Sequence, residues 1–163
     1  MISNVLRRLR LRCAFLMATV ALTPAASAQV RATSSVAAEG AQRALTAAAA
    51  EARRQGWAVS VAVVDPAGEL VAFLRMDGAP YSSVDIARGK ARTAARFRRP
   101  TRALDSLLTA GRLPILSFDG VTAVEGGVPI LILGEVVGAV GVSGVTSAQD
   151  AQVARAGARA VRP

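Results

Sequence analysis

The 163-residue chain contains no histidine and a single cysteine, Cys13. Without imidazole there is no Ser-His or Cys-His nucleophile pair, no ordinary zinc site and no histidine ligand for haem. One thiol cannot close an intrachain disulfide, so the fold must be stable without one. Aromatic residues make up 4% of the chain, with one Trp and one Tyr. That is too few for the stacked aromatic platform on which single-stranded nucleic acid is held. Acids are also scarce: 11 Asp and Glu stand against 20 Lys and Arg. No group of metal-ligating residues and no acid/base pair stands out in the sequence.

The basic excess has two origins. Arg7, Arg8, Arg10 and Arg12 precede an apolar stretch, Cys13 to Leu22, and Ala26-Ser27-Ala28 supplies the small-x-small pattern that signal peptidase accepts. The apolar stretch is ten residues long, too short for a membrane span of roughly 20 residues. Residues 1–28 are therefore read as an export signal, 29–35 as a flexible mature terminus and 36–163 as one domain. Arg7-Arg8 keeps twin-arginine export open beside the general route. Cleavage after Ala28 removes four arginines and no acid, which lowers the formal net charge from +9 to +5 and removes Cys13. The mature protein is expected in the periplasm or outside the cell, with no membrane span and no nucleic-acid partner. Its remaining positive charge concentrates in Arg88-Gly89-Lys90-Ala91-Arg92 and Arg96-Phe97-Arg98-Arg99, read as a solvated helix face or an anion-attracting rim.

Periodicity gives the elements. Val36–Gln55 is Ala-rich and Pro-free, which favours a helix stopped by Gly56. Val59, Val61 and Val63 alternate with small residues, as in a strand. Asp65-Pro66-Ala67-Gly68 is a turn signal, and Glu69–Met76 a returning strand. Ser82 and Asp85 have capping-box spacing ahead of a basic helix that Pro100 closes. Thr101 opens a short helix ending near Gly111, and Val121–Val124 is a possible short strand.

Six glycines, Gly126, Gly127, Gly134, Gly138, Gly141 and Gly144, punctuate the branched aliphatics that follow. They lack the strand–GxGxxG–helix context of a dinucleotide site and the Gly-Lys-Ser/Thr of a Walker loop. Val128–Leu133 and Val136–Val142 are read as a hairpin turning at Gly134-Glu135. Its glycines mark bare backbone approached by a helix or another subunit. A last helix follows, capped by Thr146 or Ser147, with Asp150 at capping-box distance from Ser147. The order predicts an α+β domain with an antiparallel sheet and helices mainly on one side.

Three separated segments carry a resemblance: VAVVDPAGELVAFLRMDGA (Val61–Ala79), ARGKARTA (Ala87–Ala94) and GGVPILILGEVVGAVGVSGVTSAQDAQVARAGA (Gly126–Ala158). Together they resemble the GlcG/HbpS haem-binding or haem-degrading family. The resemblance implies a profilin- or PAS-like antiparallel sheet of about five strands flanked by helices, and homo-oligomers, octameric in many cases. It also implies haem binding, with or without slow haem breakdown. The mature chain departs from histidine-ligating members. Haem here would need Lys, Met or Tyr ligation, a hydroxyl contact, or an apolar clamp with its propionates on arginines. The alternative reading is a sensor or accessory module for a short organic acid, without enzymatic activity.

Candidate ligand contacts follow. Arg75 could hold a carboxylate or propionate, or pair with Asp77 to fix the turn. Lys90 and Thr93 share a helix face and could present an ammonium and a hydroxyl. Glu125, before Gly126-Gly127 where backbone is bare, is read as a carboxylate at a subunit-interface pocket, a ligand for a hard cation, or an exposed acid or partner to an arginine. Tyr81 and Met76 are the neutral iron contacts near the RMDGA turn.

Overall fold

Alanine at every inward turn builds the first helix, α1 (Ala38–Gln55). Ala41, Ala44, Leu45, Ala48 and Ala52 form its buried stripe, and Gly56 ends it in the left-handed region. In this computed structural model the described residues are 33–163. The expected export signal, residues 1–28, therefore lies outside the described residues. After α1 come β1 (Ser60–Val64), β2 (Leu70–Arg75), α2 (Ser83–Phe97), α3 (Arg102–Thr109), a 3-10 turn (Leu113–Ser117), β3 (Gly127–Ile132), β4 (Glu135–Ser143) and α4 (Ser147–Ala160).

The four strands form one sheet in the order β2-β1-β4-β3, and every neighbouring pair is antiparallel. The sheet has one strand fewer than expected, because Val121–Val124 is not a strand. The amide of Thr122 donates instead to the Thr93 hydroxyl at 2.9 Å, so a helix side chain holds this segment where a ladder would have.

Helices cover both faces, not mainly one. On one face α1 and α4 bury Val59, Val61, Val63, Val140, Val142 and Val153. On the other, α2 lays Ala87, Ala91, Ala94 and Ala95 on Ala62, Val64 and Ala139. Each fully buried Val is worth about 1.5–3 kcal/mol, well above the roughly 0–1 kcal/mol of an exposed ion pair. The core therefore decides the architecture. The second face was hard to see because its residues are small rather than visibly apolar.

Small size is what that face requires. A Cβ on Gly141 would fall on the Ala87 carbonyl and the Ala91 amide of α2, and 2.8 Å from the Ala91 Cβ. The neighbour that needs this bare backbone is thus a helix of the same chain. Gly138 does the same on the opposite face, where a Cβ would meet Val64 backbone and come within 2.9 Å of a Val36 methyl. Val36 itself donates its amide to the Val137 carbonyl at 2.7 Å and is buried.

Three local signals resolve differently from their sequence reading. The β3–β4 turn is Leu133-Gly134, both with positive φ, since Ile132 pairs with Glu135. Positive φ at both central positions is the type I′ pattern, whose twist suits a hairpin. Ser82 makes no capping bond; the neighbouring Ser83 hydroxyl instead meets Ser60 at 2.7 Å, beneath the sheet. At α4 the capping partners are Thr146 and Gln149, whose Oε1 accepts from the Thr146 amide at 3.2 Å and hydroxyl at 2.8 Å.

Gly141→Val should abolish the cooperative thermal transition seen by circular dichroism, because backbone cannot yield to a branched side chain. Gly134→Ala should cost only about 1–2 kcal/mol, the left-handed penalty for a residue with a Cβ. Nothing lies within 4 Å of that position to add a clash.

Candidate functional site

The candidate residues fall in separate places. Lys90 and Thr93 do share a face of α2, and it points into the protein. Lys90 is the chain's one lysine among 20 basic residues and is only 2% exposed. Its ammonium donates to Asp150 Oδ2 at 2.8 Å, across the start of the β3–β4 hairpin. Gly126 makes room for it: a Cβ there would lie 2.8 Å from Lys90 Nζ. A Cβ on Gly127 would strike the Lys90 carbonyl and come within 2.7 Å of the Thr101 methyl. Thr101 ties that glycine from both sides, accepting its amide at 2.9 Å and donating to its carbonyl at 3.0 Å.

Asp150 is the partner that sequence reasoning assigned to a helix cap. Its other oxygen accepts the Val145 amide at 3.2 Å, so it does steady the entry to α4 while answering Lys90. A signal was available. A solitary lysine in an alanine-lined helix face needs a buried carboxylate somewhere. Burial pushes the Asp150 carboxyl up from the usual aspartate value, and the bond and charge of Lys90 pull it down by less.

Arg75 and Tyr81 meet at the open end of the β1–β2 hairpin. The guanidinium stacks over the phenol ring, 4.7 Å from its centroid. Arg75 thus engages the tyrosine, while Asp77 stays exposed in the turn between them. Tyr81 is 83% exposed. Met76, by contrast, packs partly buried against the main core.

Glu125 is half-buried. Its carboxylate faces Arg155 at 3.9 Å, and its amide donates to Asp105 at 2.9 Å. Among the described residues no three His, Cys, Asp or Glu side chains cluster closely enough to hold a metal.

A cleft of about 340 Å³ opens at the other end of the hairpin. Its walls are the β1–β2 turn, the exposed side of α2 and residues 120–122. Arg88 and Arg92 project from α2 one turn apart, with Asp85 and Glu69 nearby.

Lys90→Met should destabilise the protein by about 3–5 kcal/mol, because it strands a buried carboxylate. Lys90→Met/Asp150→Asn should recover most of that loss in a denaturant titration. The pH dependence has a defined sign. Asp150 holds its proton more tightly folded than unfolded, so its contribution to stability is full below the ordinary aspartate value and is lost as pH rises through the raised one. The double variant should therefore lose less stability than the parent over that rise, by at most one proton's worth, about 1.4 kcal/mol per pH unit.

The comparisons agree with this geometry. A family model described as haem degrading protein HbpS-like matches residues 36–159. Protein GlcG of Escherichia coli (strain K12) is 44% identical over 93 residues, covering 57% of this chain and 69% of GlcG. The crystal structure of a double mutant of Streptomyces reticuli HbpS aligns with a TM-score of 0.76 at 36% identity, covering 81% of this chain and 90% of that one. A PduOC:heme complex aligns with a TM-score of 0.71 at 25% identity, covering 78% of this chain and 95% of that one. Matched over its described body in sequence and in fold, this chain belongs to the GlcG/HbpS family.

Proposed function

We propose that this protein is an exported, oligomeric binder of haem or a related tetrapyrrole, with slow haem breakdown as an attendant capacity. The observation that carries the reading is the exposed Tyr81 phenol under the Arg75 guanidinium, in a fold shared with a haem complex.

The donor set fits an oxygen ligand. Lys90 is committed to Asp150, and Met76 to the core. Tyr81 would hold the haem iron through its phenol oxygen, a donor that tyrosine supplies in other haem proteins. The Arg75 guanidinium, 4.7 Å from the ring centroid, holds the phenol ring in place. Arg75 can also hold a propionate through its paired N–H donors. Haem, when bound, supplies the iron redox chemistry itself. Tyr81 would hold the iron and Arg75 a propionate, and the exposure of Tyr81 leaves it open to a neighbouring subunit. The family resemblance supports a homo-oligomer, octameric in many members, and residues 1–28 support a location in the periplasm or outside the cell.

Titrating the purified protein with hemin should give a saturable Soret shift at one site per subunit. Tyr81→Phe should change the ferric spectrum and weaken binding by about tenfold or more, equivalent to about 1.4 kcal/mol. Arg75→Ala should weaken hemin binding more than it lowers the melting temperature. No saturable shift would end the reading, and a titration indifferent to both variants would remove the site from this end of the hairpin. Mass spectrometry of the exported protein should find Gln29 at its start.

A further inference from the structure

The cleft beside Arg88 and Arg92 lies at the far end of the β1–β2 hairpin from Tyr81. Leu70 pairs with Val64 at this end, and Arg75 with Ser60 at the other. Its volume, about 340 Å³, is at the small end of the roughly 300–1,000 Å³ typical of ligand pockets. Metabolites of a few carbons suit it.

Its chemistry is divided by position. Val64, Leu70 and Val121 supply its apolar lining, and Thr122 lies beside them. Arg88, Arg92 and Arg96 follow each other at four-residue intervals along one side of α2. Like charges at that spacing repel. Two carboxylates answer the three guanidinium groups, and neither forms a tight pair. Glu69 is shared, 3.7 Å from Arg92 and 3.6 Å from Arg96, and Asp85 is 3.8 Å from Arg88. Charge-assisted N–H···O bonds are about 2.7–2.9 Å long, so these guanidinium donors are still open to a better acceptor. The wall is firm on the hairpin side. Arg92 Nε donates to the Gly68 carbonyl at 3.3 Å and Arg96 Nε to the Ala67 carbonyl at 2.7 Å. Arg88 has no such backbone tie and is half-exposed.

We infer that this cleft binds a small carboxylate with a short apolar stem, its charged end on Arg88 and Arg92 and its stem over Val64, Leu70 and Val121. The site is independent of the tetrapyrrole reading.

Butyrate, titrated into the isotope-labelled full chain and followed by amide NMR, tests it. Saturable shifts are expected at Gly68, Gly89 and Thr122, with a dissociation constant in the millimolar range or tighter. Arg88→Gln should weaken binding about tenfold and leave the melting temperature unchanged. Arg88→Lys should fall between, since it keeps the charge and loses the fork. Arg99→Gln, an exposed arginine outside the cleft, should have no effect. The inference is overturned if those amides do not respond, if Arg99→Gln weakens binding as much as Arg88→Gln, or if inorganic phosphate binds as tightly as butyrate. Hemin titration of Arg88→Gln should match the parent whichever result the butyrate gives.

Discussion

Close approach between α2 and β4 sets the terms for the rest of the protein. A helix can lie on a sheet with backbone nearly touching only when both surfaces are stripped of bulk. Here Gly141 supplies the bare strand, and Ala87 and Ala91 the bare helix. That contact fixes the depth of α2 and its rotation. With rotation fixed, Lys90 must enter the interior, Arg88 and Arg92 must face the cleft, and Thr93 must meet the 122 amide. Charges that look interchangeable in the sequence thereby acquire opposite fates. The lysine becomes part of the body, and the arginines remain available.

The Lys90–Asp150 pair is the polar counterpart of that packing. It joins α2 to α4 past the first residues of β3, and Gly126 leaves the space it needs. Net stabilisation is not the natural reading of such a pair, because desolvation offsets much of the attraction. Its effect is on register. An ion pair with both partners 2% exposed tolerates no alternative seating of α4, since any slip would leave a charge in the interior with no partner.

Much of this was legible in the sequence, and the failures have physical causes. Alternating valines in β1, the Asp65–Gly68 turn and the order of helices and strands were readable because period and turn chemistry are local properties. The α2-facing side of the sheet was not, because Ala62, Ala139 and Gly141 carry too little hydrophobic surface to register as a buried face. Of the capping signals, Ser82 stands at its helix start without a capping bond, and Thr146 caps the last helix with Gln149 where Asp150 was the expected acid. Ser82 and Ser83 are equivalent in composition, and only tertiary contact with Ser60 distinguishes them. The pairing of Arg75 with Tyr81 rather than Asp77 depends on how the chain turns through Gly78 and Pro80, which spacing alone does not specify. Lys90 and Asp150 are 60 positions apart, beyond any local pattern.

The sealed lysine also makes this chain a self-reporting molecule. All other basic side chains are guanidinium groups, so Lys90 is the sole ε-amine. An acylating reagent meets only the α-amine while the interior stays shut. Each ε-acylation event then counts one opening of the protein, and the rate of that modification becomes a clock for excursions from the native state, readable by intact mass without a probe being engineered in.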